Sequence, residues 1–227
     1  MNKRLMAVLG ISAILALTGC QSNSGADPRL KNNSDMEFFS KSGIGACAGG
    51  AAIGALSCLV ANVDNKGACM IIAAVAGCGV GIGANAYLDN KRQNYASKEE
   101  MLNSMIEDVK KENQHLRSAS NTARAVIADD KRALAKIEQD MKQQRLNKAA
   151  AEKQLKGIDA NIAALRSRLA DMKKREGEWR DIAAQSRQDG LKTAQLDKQI
   201  NGMKKQVTSL QEELDSLYTQ RTAIRLS

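Results

Sequence analysis

The chain has 227 residues, only 3% of them aromatic, and it contains a single proline, Pro28. Such a composition is typical of long α-helices and argues against a compact globular core of the usual kind. The net charge of +9 would suit a nucleic-acid-binding protein, but the N-terminal sequence argues against that class, because an exported protein does not meet the chromosome.

Residues 1–19 have the architecture of a secretory signal peptide. Lys3 and Arg4 provide a basic start, an uncharged apolar run follows from residue 5 to residue 17, and small residues come next. The apolar run is too short to cross a membrane comfortably. We therefore predict export, and we expect the basic mature chain to favour anionic lipid or acidic envelope polymers over nucleic acid.

The end of this segment, Leu17-Thr18-Gly19-Cys20, resembles the lipobox of bacterial lipoproteins. The resemblance implies that diacylglycerol is attached to the Cys20 sulfur, that cleavage occurs before Cys20, and that the new amino terminus is acylated. Gln21 stands where family members kept in the inner membrane usually carry Asp, which implies sorting to the outer membrane. Several acyl chains, such as palmitate, anchor a protein firmly, whereas one does so only marginally.

Residues 20–41 are predicted to form a lipidated, disordered tether, because they are polar and show no helical or strand periodicity. Phe38 and Phe39 lie near its end, and Tyr87 closes the segment that follows. Two interpretations of these aromatic residues remain open. They form either a local hydrophobic contact or an anchor at a membrane interface, where aromatic side chains are enriched.

Residues 42–89 are predicted to form a glycine-rich helical hairpin of the transmembrane type. Two uncharged segments, 42–62 and 67–88, each have the length of a helix that crosses about 30 Å of hydrocarbon. Glycines four residues apart allow close helix packing in lipid, which would offset a cost of about 1 kcal/mol for each interior glycine. A soluble periplasmic hairpin that buries its small residues against itself is the alternative. The spaced glycines are Gly45, Gly49, Gly50, Gly54, Gly77, Gly79, Gly81 and Gly83.

The stretch GIGACAGGAAIGALSC at residues 43–58 is neither a phosphate loop nor a flexible linker. It lacks GxGxxG and a following Lys-Ser/Thr pair, and it carries Ile and Leu in place of the polar residues of a linker. The segment resembles the glycine-zipper regions of bacterial envelope lipoproteins, among them surface-exclusion proteins of conjugative plasmids. This resemblance implies no particular activity, because the motif occurs beside quite different partner domains.

Four cysteines lie within the predicted hairpin: Cys47, Cys58, Cys69 and Cys78. They contain no CxxC pair, so no zinc site is expected, and the oxidising compartment favours disulfides. Residues that face each other across a turn have a nearly constant index sum. A turn near residue 63 therefore predicts nested bridges Cys58–Cys69 and Cys47–Cys78, with free thiols on a packing face as the alternative.

Residues 97–227 are charged and proline-free, and their apolar seven-residue repeat predicts a coiled coil. The repeat includes Trp179 as a core residue, and its phase slips near Asp130 and again near Asp189-Gly190, a helix-breaking pair. One alternative is a single helix of about 195 Å at 1.5 Å per residue. The other, which we favour, is a helix that turns near 189–190 and folds back.

No enzymatic activity, cofactor or metal site is expected, because the chain has one histidine, His115, and no nucleophile–base set. The sequence predicts an all-α structural or interaction lipoprotein of the outer membrane. Its coiled-coil arm would lie in the periplasm and would form homo-oligomers or dock an envelope protein, as in a secretion or conjugation complex. The alternative function is an oligomeric pore in which the glycine-rich hairpins perforate the membrane.

Overall fold

The structure is a computed structural model that describes residues 25–41 and 84–226. Within these ranges it contains α-helices and no strand, which confirms the prediction of an all-helical chain. None of the described helices is both long enough and apolar enough to cross a membrane. The helices are α1 (Pro28–Lys31), α2 (Ser34–Lys41), α3 (Ala84–Asn94), α4 (Lys98–Lys142), α5 (Lys148–Gln188) and α6 (Ala194–Ala223).

The three long helices α4, α5 and α6 fold back on one another as an elongated bundle. Helix α4 has 45 residues, which corresponds to about 67 Å. Helix α6 packs against both α4 and α5 and runs parallel to α4, since the Asn113 side chain donates to the Gln199 carbonyl and Lys131 donates to Ser216. The single long helix is therefore not formed.

Two turns reverse the chain between the three long helices, and only one of them was predicted. At the predicted break, Gly190 adopts φ 80°, a left-handed conformation that glycine reaches without steric cost. The other turn lies at residues 143–147, where Gln144 adopts φ 55°. Asn147 then caps α5 by accepting a hydrogen bond from the Ala150 N–H, and Ser97 and Glu100 form a capping box at the start of α4.

The short helices α1, α2 and α3 line up along the groove between α4 and α5, and together we call them the segmented helix. They run antiparallel to α4, because Arg29 contacts Asp129 and Lys91 contacts Asp108. On α4 the residues that face the segmented helix lie about 180° around the helix from those that face α6. The α4–α5 pair therefore carries α6 on one side and the segmented helix on the other.

Residues 42–83 are inserted within this one line of helix. Phe38 at the end of α2 stacks on His115, and Tyr87 at the start of α3 bonds to Asp108. The two contact residues on α4, His115 and Asp108, are thus only seven residues or about 10 Å apart, although their partners Phe38 and Tyr87 are far apart in the sequence. The described chain consequently ends at residue 41 and resumes at residue 84 at neighbouring points of the same groove.

The region predicted as a disordered tether differs from that prediction over residues 27–41. These residues form α1 and α2, whose Leu30, Met36 and Phe39 are buried in the bundle. The apolar residues are too few to produce a periodic signal, and the groove between α4 and α5, which is made by distant residues, supplies the surface that orders them. Tertiary packing here overrides a polar local composition.

The aromatic residues at the borders of the glycine-rich region pack inside the protein. Phe39 is 5% exposed and Tyr87 is 3% exposed, and Phe38 is partly buried against the same core, which supports the interpretation as a local hydrophobic contact. Leu88 is buried as well. Residues 84–89, predicted to close the hairpin, instead begin α3.

Candidate functional site

The residues that the sequence analysis singled out as sites lie outside the described ranges. This holds for the lipidation residue Cys20, for the two predicted disulfides and for the spaced glycines of residues 45–83. What the structure describes is the surface that receives both ends of residues 42–83. Three groups of contacts build that surface, and a fourth holds the other end of the segmented helix.

A buried group that we call the ionic cluster joins α4 to α5 and consists of Glu112, Arg175 and Trp179. The Trp179 indole N–H donates to Glu112 Oε2 over 2.8 Å, and Arg175 Nε lies 3.5 Å from the same oxygen. All three residues are almost fully buried. Burial raises the pKa of Glu112 to about 7, against the opposing effects of the Arg175 charge and the Trp179 hydrogen bond.

Helix α3 rests directly on this cluster through Tyr87. The Tyr87 ring meets the Trp179 ring edge to face with 5.5 Å between centroids, a favourable aromatic geometry. Its hydroxyl donates to Asp108 Oδ2 over 2.7 Å, and burial raises the Tyr87 pKa well above its ordinary range. Lys91 lies 2.6 Å from the same carboxylate and over the Tyr87 and Tyr95 rings, so cation–π contacts add to the ion pair.

Helix α2 is held about two turns further along α4, at His115. His115 Nδ1 lies 2.7 Å from Asp35 Oδ1, and the Ser118 hydroxyl donates to the other oxygen of Asp35. These two contacts lower the pKa of Asp35. Phe38 stacks on the His115 ring with centroids 4.3 Å apart. The only histidine of the chain therefore positions α2.

The N-terminal end of the segmented helix is held by a second buried carboxylate, Asp130. Asn161 Nδ2 donates to both Asp130 oxygens at 3.0 Å, and Asn161 Oδ1 accepts from the Asp27 N–H at 2.7 Å. Asp27 in turn caps α1 by accepting from the Arg29 N–H. Burial raises the pKa of Asp130 to about 6. The phase slip that the sequence shows at Asp130 thus marks a polar layer of the bundle.

These contacts position helices. Among the described residues, no group of three or more His, Cys, Asp or Glu side chains is arranged to hold a metal ion. Trp179 was predicted to be a core residue, and its burial confirms this. Glu112, Arg175 and Asn161 were not singled out, because their partners are far away in the sequence. For Asp130 the break in the apolar repeat was an available signal.

Comparison of the chain with protein-family models, with curated protein sequences and with solved structures gave no significant match.

Proposed function

We propose that the protein is a structural or interaction lipoprotein of the bacterial outer membrane. Acyl chains on Cys20 and the glycine-rich segment 42–83 hold it in the membrane, and the helical bundle projects into the periplasm as a docking arm. The observation that carries this proposal is the placement of α2 and α3. The residues of α4 that they contact, His115 and Asp108, lie about 10 Å apart along one groove.

A helical hairpin needs its two ends on the same side. Residues 42–62 and 67–88 are uncharged, and the charged residues Asp64 and Lys66 lie between them. A segment that leaves the bundle after α2 and re-enters it at α3 meets the requirement of a hairpin that dips into a membrane and returns. The lipobox-like sequence at Cys20 adds a second anchor, which precedes α1 by only a few residues in the sequence.

The bundle needs no second copy to cover its apolar residues. In the described part of the chain, Tyr218 is the only exposed large hydrophobic side chain. We therefore propose that homo-oligomers form through the glycine-rich hairpins in lipid, where small residues drive association. The bundle would offer an unknown envelope partner its mixed-charge surface, on which ion pairs contribute specificity more than affinity.

Metabolic labelling and fractionation test the lipid anchor. Cells that express the chain are grown with an alkyne analogue of palmitate, and the outer membrane is separated on a density gradient. We expect labelled protein in the outer-membrane fraction and no label on Cys20→Ser. A Cys20→Ser protein that still carries label, or a wild-type protein in the inner membrane, would contradict the proposal.

Carbonate extraction of the unlipidated protein tests the hairpin separately. We expect Cys20→Ser to resist extraction, and we expect the same protein without residues 42–83 to be extracted. Equal extraction of the two would leave the lipid anchor standing and would refute membrane insertion.

Liposome leakage separates the docking function from the alternative of a pore. Purified lipoprotein is added to dye-loaded vesicles at increasing protein-to-lipid ratios. A docking arm predicts no leakage above the level caused by the protein without residues 42–83. Leakage that depends on residues 42–83 and rises steeply with concentration would replace the docking function with the pore.

A further inference from the structure

The ionic cluster lies at the level of the bundle where the segmented helix is interrupted. On α4, Glu112 lies between Asp108, which contacts the start of α3, and His115, which contacts the end of α2. Leu30, Met36 and Leu88 fill other parts of the groove with apolar side chains, and the Asp130–Asn161 layer lies at the N-terminal end of the segmented helix. A buried carboxylate is costly unless it is paired and hydrogen-bonded, so the place of Glu112 beside the interruption calls for a reason.

A chain of direct contacts leads from Glu112 to α3. Glu112 accepts from the Trp179 indole, the Trp179 ring supports the Tyr87 ring, and the Tyr87 hydroxyl donates to Asp108. Glu112 is the acceptor that orients the Trp179 indole. A change in its charge therefore affects the position of Trp179, and with it the surface on which Tyr87 and α3 rest.

We propose that the ionic cluster is a proton-responsive joint that fastens α3, and with it the point where residues 42–83 rejoin the bundle. A proton on Glu112 favours docked α3, and its loss favours release of α3 into solvent while α4, α5 and α6 stay packed. The joint is independent of the membrane proposal, because every group in it belongs to the described bundle.

The sign follows from the two states of Glu112. Docked, its pKa is raised to about 7 from an ordinary value of 4.5, and release of Tyr87 would open the Trp179 side of the cluster to water and move this pKa back toward its ordinary value. The docked state thus binds the extra proton, so docking is strongest below about pH 4.5 and weakens as pH rises to about 7.

Gln199 on α6 faces this level of α4 with an uncharged side chain. The charged and titratable groups near Glu112 are Tyr87 and Lys91 on α3, Asp108 on α4, Arg175 and Glu178 on α5, and the Asp35–His115 pair between α2 and α4.

Two measurements on the full chain in detergent test the joint between pH 5 and pH 8. Trp179 is the only tryptophan, so its emission reports on the cluster alone, and we expect it to titrate with a midpoint near pH 7. Amide hydrogen exchange, corrected for its intrinsic pH dependence, follows residues 84–94 against residues 194–223. We expect the opening equilibrium of α3 to rise by up to tenfold per pH unit below pH 7, with α6 unchanged.

Two variants decide the outcome. Glu112→Gln keeps the shape of the side chain and should abolish both the emission titration and the pH dependence of α3. Asp130→Asn removes a second buried carboxylate, at the far end of the segmented helix, and should leave both intact. If Glu112→Gln lowers helicity, the double variant with Arg175→Gln removes both charges and takes its place. A titration that persists without Glu112, or α3 and α6 that open together, would overturn the proposal.

Discussion

The two sides of the α4–α5 pair are built in different ways. Helix α6 is continuous, and the spacing between its successive buried residues alternates strictly between four and three positions, as in a coiled coil. The segmented helix is made of three pieces and is held by a few buried apolar side chains together with aromatic contacts, ion pairs and buried hydrogen bonds. The α6 residues are Leu196, Ile200, Met203, Val207, Leu210, Leu214 and Leu217.

This difference predicts unequal stability on the two sides. Each large apolar side chain buried along α6 contributes about 1.5–3 kcal/mol, whereas a net hydrogen bond contributes about 0.5–1.5 kcal/mol. The segmented helix also carries residues 42–83 in its middle. We expect α4, α5 and α6 to unfold as one unit and the segmented helix to open at lower free energy. The following changes test this comparison.

The largest loss of stability should come from the α6 side. Leu210 is 2% exposed, and Leu210→Ala should lower the free energy of unfolding by about 2–5 kcal/mol through lost burial and a cavity. Denaturant unfolding followed by circular dichroism measures it. Glu212→Ala, an exposed neighbour, should change stability by less than about 0.5 kcal/mol. Equal effects of the two substitutions would show that the buried residues of α6 do not form the core.

In the segmented helix, Phe39→Ala removes the most buried aromatic side chain of α2. The loss from a buried Phe is about 3–5 kcal/mol when the whole protein must unfold. Here we expect a smaller shift of global unfolding, because α2 can detach while the other helices stay packed. Hydrogen exchange should accelerate in residues 34–41 and remain unchanged in residues 194–223. Acceleration in both ranges would remove the distinction between the two sides.

The sequence predicted the α6 side far better than the segmented side. The seven-residue repeat and the Asp189-Gly190 pair are local signals, and the structure confirms the burial of Trp179 and the turn at Gly190. The turn at Gln144 was missed, because no glycine or proline marks it. The contact of Glu112 with Arg175 was missed as well, since two charges that meet only after folding leave no pattern in either helix.

A pH-dependent loss of stability should come from Asp130 at the N-terminal end of the segmented helix. Its pKa is raised to about 6 from 3.8. The folded state therefore binds the extra proton, and the associated stability is present below about pH 4 and lost as pH rises through 6. Asp130→Asn should match the wild type at pH 4 and exceed it at pH 8 by at most about 2–3 kcal/mol.

Thermal unfolding at the two pH values measures the Asp130 effect, and Asp181→Asn, an exposed change on α5, controls for net charge. If Asp130→Asn were less stable than the wild type at pH 8, the hydrogen bonds from Asn161 would outweigh the burial of the charge. The Asp130–Asn161 layer would then stabilise α1, which contradicts the expectation that the segmented helix is the less stable side.

The smallest effects separate a glycine that the fold requires from one that it tolerates. Gly202 lies within α6, and a Cβ there meets no atom within 4 Å. Gly202→Ala should therefore stabilise the protein by about 0.5–1 kcal/mol. Gly190 has room for a Cβ, with Lys98 Nζ at 3.6 Å, but its φ of +80° makes Gly190→Ala destabilising by about 1–2 kcal/mol. Gly190 lies in the turn that leads to α6 and Gly202 lies within α6, so opposite signs in thermal unfolding would show that the stability of α6 depends on the conformation of the turn as well as on helix propensity.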